Sequence, residues 1–338
     1  MIQERLELGP IHTWLPGTMK MNLGMSGDQM LSAEPVFGYA TRSIEKNMVG
    51  RSIEHAQYLF SRVEPESALL LDRLYGEAVE QMCEQEVSGR TEWIRNITSD
   101  LSELNFQLKF MAKMAARLGV KILYHSILKH RENLLDLFEL LSGSRYGYYY
   151  ILPGGVRYDL TDGFQERLEA WISAFLQDYG RIEALFCWTH GLQNRLRSMG
   201  VVMDTGEYGF VSKAAVEGTR FGQVSHVESR LLHALGSSKR LAEGLATRLT
   251  QRPEGSVRIR LPARLKSEAV ADWQLETIRG TWGLRLALDP ELLVSGVSVR
   301  SPSDSIRNAI FPALEGESIE DLPLILESLS LSVPEIDR

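Results

Sequence analysis

Helical periodicity dominates the middle of the sequence and limits the folds open to this chain more than any other feature. Leu69, Leu70, Leu74, Ala78 and Met82 recur at steps of three and four residues. Side chains at those steps share one face of an α-helix, and an apolar face of this kind is buried against other elements. We therefore expect a core of long helices over residues 41–250.

Turn residues divide this region into separate helices. Thr91 is predicted to cap a helix that runs to about Leu118, and Gly119 is predicted to end it. A second helix is predicted from about Ile122 to Leu141, with Ser142-Gly143 as its stop. Further helices are expected after residue 163 and from residue 226 to about 250, with loops and short strands over residues 203–221.

The two ends of the chain carry strand patterns instead. TMKMNLGM (residues 18–25) alternates as a hairpin strand does, and VRIRLP and GLRLAL (residues 257–262 and 283–288) alternate in the same way. LPLILESL, near the C-terminus, predicts a short amphipathic helix. The prediction is an α+β fold in one packed domain: an N-terminal β region over residues 1–40, a helical core over residues 41–250, and C-terminal strands with a terminal helix over residues 251–338.

Composition argues against several classes of function. The 338 residues carry a formal net charge of -7, which disfavours a nucleic-acid binder because such a surface must neutralise phosphates with Lys and Arg. The sequence has neither a G-x-x-x-x-G-K nor a G-x-G-x-x-G motif for nucleotides. Cys83 and Cys187 are too few for a cluster, and we expect both to be buried thiols. The N-terminus lacks the apolar region of a secretory signal, and no stretch matches a membrane-spanning helix.

The histidines offer one candidate for a functional group. His125 and His130 are five residues apart, which does not match one helix face, so we predict that both are structural. His12, in a Gly-Pro turn near the N-terminus, remains a candidate. The residues alone indicate a mixed α/β protein without a self-sufficient catalytic site.

A set of short motifs nevertheless occurs in a fixed order from about Leu8 to Arg338. In sequence order they are GPIHTWLPG, GYATRSIEKNMVGR, FSRVEPES, HRENLLDLFELLSGSR, LPGGVRYDL, ETIRGTWGL, SPSDSIRNAIFPALEGESIEDLPLIL and SLSLSVPEIDR. The ordered set resembles the D subunit of respiratory NADH dehydrogenase and the large subunits of membrane-bound nickel–iron hydrogenases. This resemblance implies a hydrogenase large-subunit-like fold, with a central long-helix bundle and small peripheral β-sheets.

The resemblance also marks where the metal chemistry of those families has changed. Hydrogenases hold nickel and iron with two pairs of cysteines, because soft thiolates suit those metals. In this chain the four positions are Glu64, Ser67, Ser332 and Glu335. The resemblance therefore implies that this chain holds no metal there and is not a hydrogenase by itself.

The positions that the respiratory subunit uses for quinone have changed as well. A histidine, a tyrosine and an aspartate are associated there with quinone reduction, as hydrogen-bond donors and proton sources. The matching positions here are Pro16, Pro65 and, approximately, Arg117. Proline has no side-chain donor and no N–H. His12, one turn earlier, matches the first histidine of the motif and is a candidate substitute.

Two further positions are implied to lie near the terminal iron–sulfur cluster of a partner subunit. Arg62 matches an arginine of the family, and Tyr148 stands at about the position of a histidine. A guanidinium there would stabilise an added electron in an interface of low dielectric constant. The alternative, equally open at this point, is that Arg62 pairs with an acid such as Glu45.

Two functions follow from the resemblance. The first is a subunit of a membrane-associated, NADH dehydrogenase-like quinone oxidoreductase complex, which docks an iron–sulfur small subunit and membrane-arm subunits and contributes to a quinone-type acceptor crevice. The second is a non-catalytic scaffold or coupling subunit of a hydrogenase-related complex that has lost its redox chemistry. In both, the iron–sulfur cluster is on a partner, NADH is oxidised elsewhere, and this chain binds at most a quinone. The expected location is cytoplasmic, peripheral on the inner face of the cell membrane.

Overall fold

The computed structural model describes residues 4–187, 196–203, 206–218 and 222–338. It confirms the predicted α+β fold, with long helices at the centre and small sheets at the periphery. The helices described are α1 (Ile44–Met48), α2 (Ile53–Phe60), α3 (Ala68–Met82), α4 (Gly89–Arg117), α5 (Lys121–Ser142), α6 (Asp162–Cys187), α7 (Phe210–Lys213), α8 (Val227–Leu249), α9 (Pro302–Ile306), α10 (Ile310–Leu314), α11 (Leu322–Ser328) and α12 (Val333–Ile336). The strands described are β1 (Glu4–Leu8), β2 (Lys20–Ser26), β3 (Gln29–Val36), β4 (Ile151–Leu152), β5 (Gly155–Val156), β6 (Val202–Met203), β7 (Val216–Gly218), β8 (Gly222–Ser225), β9 (Ala269–Thr277), β10 (Gly280–Leu288) and β11 (Val294–Arg300).

A polar cap and two glycines set the ends of α4 and α5. Ser88 caps α4, because its Oγ accepts the N–H of Thr91 at 3.2 Å. The prediction that Thr91 is the cap is therefore wrong, since Thr91 already lies in the first turn. Gly119 and Gly143 follow the two helices with left-handed φ values of 74° and 77°, which glycine adopts at little steric cost.

The N-terminal sheet confirms the strand predicted from alternation. β2 is the central strand of an antiparallel sheet in the order β1-β2-β3. Met21, Leu23 and Met25 are buried on one of its faces. This face packs against the helical core, so the alternation of residues 18–25 reports burial on one side.

The C-terminal sheet contains one of the two strands predicted there. GLRLAL lies in β10, the central strand of the order β11-β10-β9, and its leucines are buried. VRIRLP is not a strand, and that prediction is wrong. Arg258 makes only a single bridge, with Gly155 of the β4–β5 hairpin. The alternation does reflect burial, because Val257 and Ile259 are half-buried while Arg258 and Arg260 are exposed. The strands of the β4–β5 hairpin are only two residues long, however, so they cannot pair with more of this segment.

Two apolar clusters hold these layers together. The larger joins α4, α5, α6 and α8 to the N-terminal sheet and to the short C-terminal helices. The smaller joins α1, α2 and α3 to the C-terminal sheet, with Phe60, Tyr75 and Trp282 in it. Helix α3 contributes to both clusters, through Leu69 and Leu71 respectively. The turn before α3 therefore lies where the two clusters meet.

Three smaller predictions concern cysteines, the 203–221 region and membrane helices. Cys83 is buried and free, as expected, whereas the side chain of Cys187 lies outside the described residues. Short strands do occur in residues 203–221, of which residues 204–205 and 219–221 lie outside the description. In the described part of the chain, no helix is both long and apolar enough to cross a membrane.

Candidate functional site

The C-terminal segment folds back onto the start of the helical core. The carboxylate of Asp337 accepts the backbone N–H groups of Gly38 and Ala40, at 2.7 and 2.9 Å. Arg42 closes the same junction, because its guanidinium donates to the carbonyl oxygen of Pro334 at 2.7 Å. The same guanidinium donates to the carbonyl oxygen of Val63 at 2.9 Å, so the end of the chain lies next to the turn that precedes α3.

This arrangement brings together the four residues that the motif resemblance matched to the metal ligands of nickel–iron hydrogenases. The hydroxyl of Ser332 donates to the carboxylate of Glu64. Ser67 lies one turn after Glu64, and its N–H donates to the Glu64 carbonyl oxygen at 3.0 Å. Glu335 is fully buried, one turn after Ser332. We call these four residues, with Arg279, the central polar cluster.

Arg279 connects the members of the central polar cluster. Its buried guanidinium forms an ion pair with Glu335 and donates to Ser303 Oγ at 3.2 Å. It also lies over the ring of Phe106, 4.9 Å from the ring centre. Burial alone would lower the pKa of Arg279, but the carboxylates of Glu335 and Glu64 raise it. The cluster therefore contains a fixed positive charge.

These groups do not fit a nickel–iron centre. Carboxylate and hydroxyl oxygens are hard ligands, whereas such a centre requires soft thiolates. A guanidinium stays protonated and offers no lone pair to a metal. Among the residues that the structure describes, no group of three or more His, Cys, Asp or Glu side chains is placed to hold a metal ion.

A cavity of about 160 Å³ opens beside the central polar cluster. Phe106, Lys109, Phe110 and Lys113 line it, all from α4. Their spacing of three and four residues places them on one face of the helix. We call this space the central cavity; its other lining residues are Pro16, Glu64, Glu66, Arg279, Glu327 and residues 330–334.

Ion pairs balance much of the charge around the central cavity. Glu66 lies 2.9 Å from the ammonium of Lys109 and 2.8 Å from the guanidinium of Arg131. Burial opposes ionisation of Glu66, but these two cations lower its pKa. Glu327 is paired in the same way with Lys113, at 2.8 Å. The cavity is therefore a polar recess with two aromatic walls.

The positions matched to the quinone site do not all reach this cavity. Pro16 lines it, whereas Pro65 and Arg117 are outside the lining set. Arg117 donates to the carbonyl oxygen of Thr13 at 3.0 Å, which ties α4 to the N-terminal loop. The guanidinium at this position thus has a structural partner.

His12 is engaged locally in the N-terminal loop. Its Nδ1 accepts the N–H of Trp14 at 3.3 Å, and the two rings pack edge to face. His12 does not line the central cavity. That His12 substitutes for the missing quinone-site histidine therefore remains a prediction, and no contact among the described residues supports it.

Arg62 and Tyr148 are close to each other. The guanidinium of Arg62 lies 3.4 Å from the centre of the Tyr58 ring and 4.5 Å from the centre of the Tyr148 ring. The cation is therefore held between two aromatic faces. The alternative pairing of Arg62 with Glu45 is wrong, because Glu45 lies against Arg338 instead.

Sequence reasoning gave no role to Arg279, Lys109 or Lys113. Arg279 lies within the motif ETIRGTWGL, but its partner Glu335 is 56 residues further along the chain, so spacing does not reveal the pair. The two lysines had a weak signal, since they stand four residues apart and alternate with Phe106 and Phe110. The same pattern is also common on exposed helix faces.

Comparison with known proteins finds similarity to one class of respiratory subunit. The model of the respiratory-chain NADH dehydrogenase 49 kDa subunit family matches residues 118–214. The D subunit of the NADH-quinone oxidoreductase of Desulforamulus reducens is 27% identical, over 98% of this chain and 97% of that protein. The chain is thus similar to 49 kDa, or D, subunits over nearly its whole length. The corresponding D subunit of Thermus thermophilus is 26% identical, over 98% of this chain and 93% of its own.

Similarity to a solved structure supports the same fold. A chain of the membrane-bound sulfane sulfur reductase, an archaeal respiratory membrane complex, matches with a TM-score of 0.89. The match covers 99% of this chain and 98% of that chain, at 22% identity. The hydrogenase-like large-subunit fold implied by the motifs is thereby confirmed.

Proposed function

We propose that this chain is the D-type subunit of a membrane-associated, NADH dehydrogenase-like oxidoreductase complex, and that its central cavity contributes to a quinone-type acceptor crevice. The observation that carries the proposal is the similarity to D subunits over 98% of the chain. In this proposal an iron–sulfur small subunit and membrane-arm subunits dock on the chain. The electron donor is oxidised on another subunit, and the complex lies against the cytoplasmic face of the membrane.

The walls of the central cavity provide groups suited to a quinone headgroup. The rings of Phe106 and Phe110 offer aromatic surface, on which a flat ring packs in offset or edge-on geometry. Lys109 and Arg279 provide N–H donors next to those rings. A fixed positive charge stabilises negative charge that develops on a carbonyl oxygen during reduction. In this proposal these cations take over a role that tyrosine and histidine have in the respiratory subunit.

The Arg62–Tyr148 contact supports the docking of a cluster-bearing partner. The guanidinium has no carboxylate partner among the described residues and is held between Tyr58 and Tyr148. Arginine and tyrosine are enriched in protein interfaces, because they combine large contact area with hydrogen bonds. An unneutralised cation at such an interface also favours an added electron on the partner side.

A non-catalytic scaffold is the second candidate, and the central polar cluster favours it. The charge of Arg279 is already paired with Glu335, and the lysines are paired with Glu66 and Glu327. Pro16 and Pro65 stand at the positions matched to the quinone-site histidine and tyrosine, and proline has no side-chain hydrogen-bond donor. A protein with these features can position its neighbours without binding a quinone.

A bulky substitution in the cavity wall separates the two candidates. We expect Lys113→Trp, in the complex purified from the native host, to weaken binding of a short-chain quinone analogue at least about tenfold, since the indole fills the cavity. Lys129→Trp is the matched control, because Lys129 is exposed on α5 and lines no part of the cavity. If the wild-type complex shows no saturable inhibition by the analogue, the scaffold function is the correct one.

A further inference from the structure

A second cavity, of about 830 Å³, lies apart from the central cavity and shares no lining residue with it. Four segments of the chain form its walls: the start of α2 at residues 52–57, residues 149–157, residues 258–263, and residues 291–292. Cavities of a few hundred to about a thousand Å³ are the usual size for small-molecule sites. We call this space the arginine pocket.

Three arginines line the arginine pocket without a carboxylate partner among the described residues. They are Arg157, Arg258 and Arg260, and all three are exposed. The carboxylates present are Glu291, which is paired with Arg264, and Glu54. The pocket therefore carries a positive excess, although the whole chain has a formal net charge of -7.

Two consecutive glycines place two of these arginines. Gly154 and Gly155 have φ values of 88° and 150°, which side chains rarely allow. A Cβ on Gly155 would lie 2.2 Å from the carbonyl oxygen of Val257 and 2.7 Å from the Cα of Arg258. The absence of side chains lets the segment with Arg258 and Arg260 lie directly against the β4–β5 hairpin.

A buried acid positions two other pocket residues. Asp72 is fully buried, and its carboxylate accepts the N–H of Tyr149 at 2.8 Å and the amide of Gln57 at 2.9 Å. Tyr149 has a φ of 62°, which is unusual for an aromatic residue and costs conformational energy. The hydrogen bond from its N–H to Asp72 stabilises this conformation. The guanidinium of Arg157 lies 5.6 Å from the centre of the Tyr149 ring.

Gln57 adds an acceptor that lacks a partner. Its side chain is fully buried, and its Nε2 donates to Asp72 and to the carbonyl oxygen of Ile151. Its Oε1 has no hydrogen-bond partner among the described residues. A buried acceptor without a donor is unfavourable, but this atom is closed to solvent, so the pocket proposal does not depend on it.

We propose that the arginine pocket binds an organic phosphate. Guanidinium groups bind phosphate through paired, charge-assisted hydrogen bonds, and three unpaired ones surround the same space. The N-terminal end of α2 also reaches the pocket, and its aligned peptide dipoles favour an anion there. The ligand is either a soluble phosphorylated metabolite or a phosphate-bearing lipid headgroup.

The first test measures binding of pyrophosphate to the purified full chain by titration calorimetry. We expect saturable binding that weakens as potassium chloride is added, since the contacts are partly exposed. The triple variant Arg157→Gln, Arg258→Gln and Arg260→Gln should lose about 100-fold or more in affinity. Arg181→Gln, Arg285→Gln and Arg307→Gln together form the charge-matched control, because these exposed arginines line none of the pocket. The control should keep wild-type affinity.

A single substitution distinguishes loss of binding from loss of the fold. Ala263 lines the pocket and is exposed, so Ala263→Glu adds a carboxylate without removing any packing. It should abolish pyrophosphate binding while the far-ultraviolet circular dichroism and the midpoint of thermal unfolding stay unchanged. Equal binding by wild type, triple variant and Ala263→Glu would contradict the proposal.

Vesicles distinguish the two sources of phosphate. Arginine-dependent sedimentation with vesicles that contain phosphatidylglycerol, and not with pure phosphatidylcholine, indicates a lipid headgroup. Pyrophosphate binding without vesicle binding indicates a soluble metabolite. The proposal is wrong if neither probe binds, or if only an oligoglutamate peptide binds, since that result assigns the pocket to an acidic segment of a protein.

Discussion

Arg279 and Glu335 are both buried, and each makes the other's charge tolerable in the protein interior. Neither residue could be assigned a partner from the sequence, because the contact depends on how the C-terminal segment folds back. The sequence did provide the four positions, Glu64, Ser67, Ser332 and Glu335, and the structure places them in one region. What could not be foreseen is that a guanidinium from the β9–β10 turn occupies that region.

Removal of one charge from this pair should be strongly destabilising. Glu335→Gln leaves the guanidinium of Arg279 buried without its ion-pair partner, so we expect the free energy of unfolding in urea to fall by about 3 kcal/mol or more. Glu291→Gln breaks the exposed ion pair with Arg264 and should change the free energy of unfolding by less than about 1 kcal/mol. Equal effects of the two variants would mean that the buried pair does not carry the stability assigned to it.

Glu103 predicts a pH dependence of stability. Burial raises the pKa of Glu103 to about 7 from an ordinary value of 4.5. The hydrogen bond from the Ile278 N–H and the charges of Lys213 and Arg279 lower this pKa, whereas the charge of Asp100 raises it. The folded state keeps the proton up to about pH 7, whereas the unfolded chain releases it near pH 4.5. The contribution of Glu103 to the free energy of unfolding therefore falls as pH rises through this window, by up to about 3 kcal/mol in total.

Urea titrations at several pH values test this directly. Glu103→Gln should reduce the fall between pH 4.5 and about pH 7, because a glutamine does not titrate. The part of the fall that remains belongs to Asp72, because burial raises its pKa to about 7 as well. The exposed residue Glu254 provides the control, and Glu254→Gln should leave the slope as in the wild type. An unchanged slope in Glu103→Gln would show that this carboxyl is ionised in the folded state at lower pH.

Among the structural elements, the long helices were the most predictable and the short hairpins the least. The apolar spacing in α3, α4 and α5 reports burial of one face, and Gly119 and Gly143 end two of these helices as expected. Periodicity did not distinguish Ser88 from Thr91 as a cap, because both are good capping residues three positions apart. It also could not show that VRIRLP pairs with a hairpin whose strands are only two residues long, since that pairing depends on a partner about 100 residues earlier.

The β4–β5 hairpin should not accept a side chain at Gly155. Gly155→Ala places a Cβ within 2.2 Å of a backbone carbonyl oxygen and requires a φ of 150° from alanine. We expect a loss of about 2 kcal/mol or more in the free energy of unfolding. Gly163→Ala meets open space at the start of α6 and should stay within about 0.5 kcal/mol of the wild type. Similar values for the two would contradict the packing described for the hairpin.

At the scale of the whole molecule, the two ends of the chain are joined and close the central polar cluster. Asp337 holds the backbone at Gly38 and Ala40, and Gly17 would clash with Val333 if it carried a Cβ. The ordered motifs lie at both ends of the chain, but they do not show by themselves that the ends meet. The chemistry of the central polar cluster was not predictable either, since the family resemblance identifies positions but not the contacts that new side chains make there. The proposed function is therefore a role in an assembly more than a reaction of this chain alone.

Purification of the chain at its native level from its own host tests that claim most directly. An affinity tag, mild detergent and mass spectrometry would identify the partners, and electron paramagnetic resonance of the reduced sample would detect clusters. We predict stoichiometric co-purification with a protein that carries an iron–sulfur cluster and with membrane-integral proteins. Recovery of the chain only as a single species of 38.1 kDa, without partners or a cluster signal, would contradict the proposed assembly.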